Sequence, residues 1–200
     1  GKNYEGGLIY FLDVTTGTGL IATNSNYQGL ASWGCEGTDI AGADDSLIGT
    51  GYTNTQDIIS GCFTLGIAAD TCSKLYINGY NDWFLPNKHE LQGMFYNLHL
   101  NGFGDFINGD YLWSSTEVDL NTAWKLECAT WSNGEMVPAY KTQNLGYRPA
   151  RAFTAIHNPG TPPPSPPLPV QARLDSGETP SDIYLTNSLF IIFVILGINE

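Results

Sequence analysis

One stretch of this chain carries every signal of a helix start, and it divides what lies on either side. In "DWFLPNKHELQGMFYNLHL" Pro86 restricts Leu85 to extended geometry, and Asn87 with Glu90 has the N-x-x-E spacing of a capping box. Leu91, Met94, Phe95 and Leu98 then recur at i, i+3, i+4 and i+7, one apolar face of a helix. The spacing predicts a helix over 87–100, with Trp83 and Leu85 plugging the core from the extended run before it. Before it, "NTQDIISGCFTLGIAADTCSKLYING" offers Asn54 as an N-cap, Asp57 as its reciprocal partner and Ile58, Ile59, Cys62 and Phe63 at helical spacing. Gly61 and Gly66 weaken that second helix, and Asn78-Gly79 ends it.

Elsewhere the signals are those of short strands cut by glycine corners. "GGLIYFLD" (6–13) and "TGLIATNSN" (18–26) flank "VTTGTG" and read as an opening antiparallel hairpin. From Gly29 to Thr53 neither period is sustained, which predicts a long ordered loop around Trp33. After the helix and "NGFGDFINGD" come 111–117, 123–131, the turn "SNGE", "MVPAYK" and 147–153, a C-terminal antiparallel sheet.

Composition bounds the partners. Acids outnumber bases 20 to 8 for a formal charge of -12, which repels polyanions and argues against a nucleic acid partner. Only 14% of residues are charged, with 23 glycines and 12% aromatics, a balance that suits an extracellular or cell-surface protein. The four cysteines (35, 62, 72 and 128) include no CxxC and no paired histidine spacing, so zinc has nothing to recommend it. His89, His99 and His157 are too scattered to assemble a catalytic constellation, and His89 reads as a solvent-facing helix residue.

Eight of the eleven prolines fall beyond residue 158. That change divides the chain into a domain over 1–153, a Pro-rich linker over 154–182 and a short apolar segment over 183–200. Its "LFIIFVILGI" is about half of the roughly 20 residues a membrane helix needs. It stays open between a truncated membrane anchor, an added strand and an artefact of where the reading frame was cut.

The order hairpin, loop, two helices, sheet, with the anchors "NGYNDWFLP", "NKHEL", "YLWSSTE", "AW", "SNG" and "GYRPARAF", resembles the DUF1566 family over residues 6–153. That family includes the C-terminal domain of the Legionella collagen-like adhesins and is related to formylglycine-generating enzymes. The resemblance implies an α+β domain of C-type-lectin-like fold: antiparallel sheets, paired N- and C-terminal strands, two flanking helices and long ordered loops. It also implies a disulfide between Cys35 and Cys62, from "SWGCEGT" and "SGCFTLG". Cys72 reads as a buried small hydrophobe, with a second disulfide to Cys128 as the alternative.

A formylglycine-type oxidase would need two copper-binding cysteines in the C-terminal half, where this chain has only Cys128. Lectin-type calcium motifs match neither in order nor in place, and "GADDS" (42–46), which could donate carboxylates to calcium, reads more simply as solvated acids, so no cofactor is assigned and calcium stays open. The ligand-binding candidates follow residue 117: Asp119, Asn121, Lys125, Glu127, Trp131, Glu135, Tyr140, Thr142 and Gln143. Polar groups among aromatics suit a glycan or a protein receptor, if they point outward from the sheet as one face. On the opposing reading Trp124 and Trp131 are core and the rest is ordinary exposed strand.

The expected function is therefore a non-enzymatic adhesin or receptor-binding domain. The alternative is a structural module of a larger surface protein or phage fibre, in which the same face packs against sister chains as a homo-oligomer.

Overall fold

A computed structural model describes residues 1–24, 29–107 and 109–154. The linker and apolar segment expected beyond 154 lie outside these residues. The chain divides into two compact units, residues 1–12 with 19–153 and residues 13–18 with 154–200. Of the second, the turn Asp13–Thr18 is described: Asp13 Oδ1 accepts from the Thr15 amide (2.9 Å) and hydroxyl (2.6 Å), and these bonds hold its pKa down at about 2.

The fold is α+β. One sheet has the order β1-β2-β3-β9, from Asn3–Tyr4, Gly7–Asp13, Thr18–Ala22 and Ala150–Thr154, so the last described strand joins the opening hairpin. The other has the order β4-β8-β5-β6-β7, from Gly29–Ala31, Leu145–Tyr147, Asp110–Glu117, Thr122–Cys128 and Met136–Tyr140. Helices α1 (Gly51–Gly61), α2 (Ala68–Ser73) and α3 (Lys88–Asn97) lie between β4 and β5 in the chain. The second sheet is mixed rather than wholly antiparallel. β8 lies parallel to β5 at Leu112–Gly146, because the return from β7 carries the chain across the sheet instead of into another hairpin.

Alternation along β5–β7 packs both faces of that sheet. Trp113, Ala123 and Ala139 face one core with Trp33, Ile58, Ile67 and Leu85, while Leu112, Leu126 and Cys128 face another with α3, Leu8, Leu20 and Ala150. Cys72 and Cys128 belong to different cores and are both free and buried, whereas Cys35 and Cys62 form the disulfide.

The helix over 87–100 begins as read: Asn87 accepts from the His89 and Glu90 amides, and Glu90 returns a bond to the Asn87 amide. It ends earlier, at Asn97, with a 3-10 turn over His99–Asn101. Leu91, Met94, Phe95 and Leu98 are fully buried, as are Trp83 and Leu85 to within 1%. Asn78-Gly79, both at positive φ, make the tight corner of the Ile77–Tyr80 bridge. Phe84 then exchanges both backbone bonds with Ala150 at 2.8 Å, joining "DWFLP" to "RPARAF".

Other expectations need correction. α1 starts at Gly51, and Asn54 is a buried helix residue whose Nδ2 donates to the Asp45 carbonyl at 2.7 Å. A polar side chain that looked like a cap is consumed by the loop preceding its own helix. Phe63 lies beyond that helix and is 88% exposed. The 29–53 region is not all loop, since Gly29–Ala31 pairs with β8. The strands expected over 123–131 and 18–26 stop at Cys128 and Ala22, and residues 25–28 lie outside the described set.

Candidate functional site

The irregular segment 33–51 must find partners for amides that no strand or helix supplies. Buried polar groups from the sheet supply them. Glu117 accepts from Ile40 N (3.0 Å) and pairs with Lys141, whose Nζ also donates to the Thr38 carbonyl (2.8 Å) and lies 4.7 Å from the Trp33 ring centre. Burial raises the Glu117 pKa, opposed by Lys141 and the Ile40 amide. The Trp33 and Trp113 indoles donate to Ser114 O (2.9 Å) and Ala31 O (3.0 Å). The "WSSTE" residues are thus buried stitching.

Polar side chains that remain accessible are the ones free to meet a ligand. An open groove of about 600 Å³ lies between the first turns of α3 and the β6–β7 hairpin. Lys88, His89 and Gln92 line one wall, Trp124 and Met136 another, and Ser132 to Glu135 the tip. Asn133 (φ 51°) and Gly134 (φ 69°) make the tip the turn that "SNGE" predicts. A Cβ at Gly134 would come within 2.8 Å of Phe95, so only glycine lets the hairpin close onto α3. Gln92 Nε2 donates to Gly134 O (3.0 Å) and Tyr96 Oη to Asn133 O (2.9 Å), fixing the tip to the helix.

The chemistry of the groove is mixed. Trp124 is half-buried, with the Lys88 ammonium 4.9 Å from its ring centre. His89 Nδ1 lies 2.7 Å from the Ser46 carbonyl, which can only accept, so Nδ1 carries the proton and fixes the ring at the groove wall. Glu135 and Asn133 are exposed and add a carboxylate and an amide. An aromatic face flanked by donors and acceptors can bind a polar ring-shaped ligand, and nothing in it is arranged as a nucleophile with a base.

The nine candidates do not share one face. Asp119 and Asn121 lie in the β5–β6 turn, and exposed Thr142 and Gln143 in the β7–β8 turn beside it, joined by Lys141 N to Asn121 O at 2.9 Å. Bonds from Asn121 and Thr122 lower the Asp119 pKa. Lys125 and Glu127 alternate onto the face opposite Trp124, where Lys125 Nζ is 3.8 Å from the Tyr111 ring centre and burial lowers its pKa. Tyr140, 60% exposed, pairs with Thr122 on the Trp124 face. Trp131, 70% exposed, belongs to neither core, and only Glu135 lines the groove.

Lys88 and Gln92 were missed by the sequence reading. Their spacing marks an outward helix face, but nothing local says that a hairpin tip closes over it. Among the described residues no three His, Cys, Asp or Glu side chains gather as a metal site would require, and no helix is long and apolar enough to cross a membrane. No family profile matches this chain, and no curated protein matches it.

Proposed function

We propose that the chain is an extracellular C-type-lectin-like recognition domain of the DUF1566 kind, an adhesin or receptor-binding module that takes a glycan in the groove beside Trp124. The groove carries this reading: a half-buried indole among an ammonium, an imidazole, an amide and a carboxylate is a combination that suits a sugar. The two-sheet α+β architecture and the Cys35–Cys62 disulfide support the fold and the oxidising compartment. Tyr140, exposed on the Trp124 face of the sheet, extends the contact for a larger ligand.

No catalytic role is assigned. Cys72 and Cys128 lie in separate cores, and burial raises both thiols, Cys128 to about 12, which weighs against a copper-binding oxidase pair.

A glycan array on the purified chain, with light scattering on the same sample, tests the reading. It predicts binding to a restricted set of neutral or singly charged glycans. A stable trimer that binds none would replace it with the structural-module alternative.

A further inference from the structure

Outside the groove, the loop before α1 exposes two adjacent aliphatic side chains. Leu47 is 70% exposed and Ile48 42% exposed, although the backbone around them is held by several hydrogen bonds. The Leu47 carbonyl accepts from Asn87 Nδ2 (2.5 Å) and from Thr50 N (3.1 Å). Leu47 N donates to Asp45 Oδ1 (2.9 Å), and Gly49 N donates to the buried Glu90 carboxylate (2.8 Å).

The turn itself asks only for glycine at Gly49, where φ is 101°. Serine or asparagine would serve at 47 and 48, so among the described residues two aliphatic side chains held in water by a fixed backbone gain nothing. Fixed geometry removes the ordering cost of binding, which is what a docking element needs.

Charge selects the occupant. Asp44 and Asp45 are exposed immediately before the pair, in a chain of formal charge -12. That field opposes an anionic lipid surface and a second copy of the chain, and favours a basic one. Lys88, on the first turn of α3, directs its ammonium to Trp124. We infer that Leu47 and Ile48 form a preformed docking knob for a protein partner whose contact segment combines apolar side chains with Lys or Arg.

A random dodecapeptide display library, panned on the full chain and on Leu47→Ser/Ile48→Ser, tests this. Peptides combining aromatic or aliphatic residues with Lys or Arg should be enriched on the unaltered chain. They should bind the double variant about ten-fold more weakly and lose affinity as salt rises from about 0.05 to 0.3 M. Asp44→Lys, at an exposed position, should weaken the same peptides and gives a second reading should the double variant not fold. Enrichment that ignores both variants, acidic consensus peptides, or Leu47-dependent binding to phosphatidylglycerol vesicles or self-association would each overturn the inference.

Discussion

Segment 33–51 and the groove beside Trp124 are both irregular surfaces, yet they are held in opposite ways. The first is clamped by buried ionic and amide groups and by a covalent bond: Glu117 with Lys141, Asn87 with Glu90, and Cys35 with Cys62. The second is closed by neutral bonds from Gln92 and Tyr96 to two carbonyls, leaving Lys88, His89 and Glu135 facing solvent. Where buried polar groups are fully used to hold backbone they are scaffold, and where partly exposed ones line a cavity they are free to bind.

If that contrast is right, the largest losses of stability come from the clamp. Lys141→Ala leaves the Glu117 carboxylate buried without its partner and should cost about 3–5 kcal/mol, seen in urea unfolding. Lys141→Met with Glu117→Leu should recover part of this, but not the bond to Ile40 N. Cys35→Ser/Cys62→Ser should cost about 2–4 kcal/mol, from a sequence separation of 27. Gly51→Ala comes next, at about 1–3 kcal/mol, because its Cβ would lie 2.1 Å from Glu90 Oε2 and 2.9 Å from Asn87 N.

In the groove the same measurement should move least. Lys88→Ala removes a partly exposed cation over Trp124 and should cost no more than about 1 kcal/mol, while glycan binding falls by about ten-fold or more. A groove variant that unfolds the protein would erase the distinction. Cys72 and Cys128 sharpen it from the core side: both thiols should resist an aromatic disulfide reagent at pH 8 until the chain unfolds, since burial holds them protonated and out of reach.

The parts of this contrast that could be read in the sequence are the local ones. The capping box at Asn87 and Glu90 and the apolar stripe after it are spaced within two turns, so the pattern names them. Their second task, gripping the backbone of Leu47 and Gly49 some forty residues earlier, has no local signature. Asn54 misled for the same reason, its partner being the Asp45 carbonyl rather than its own helix end.

The candidate face was split by strand alternation, which turns Lys125 and Glu127 away from Trp124 and Tyr140, while an irregularity in β5 buries the residues before them. Pairing of Trp113 with Lys125 and of Glu117 with Ala123 leaves three residues of β5 opposite one of β6, a bulge that buries Ser114 to Thr116. Alternation along the β6–β7 pair accounts for the split of Lys125 and Glu127 from Tyr140. It could not have shown that α3 and the Asn133-Gly134 tip meet in front of Trp124.

The central claim is that this junction is the binding site. A two-dimensional NMR titration of the labelled chain with the strongest array glycan follows all five indole N–H signals separately. The account predicts that the Trp124 signal shifts, with the backbone amides of Lys88 and Glu135, while Trp33 and Trp113 stay fixed on their carbonyl partners. Shifts confined to Asp119–Asn121 and Thr142–Gln143, with Trp124 unmoved, would contradict it.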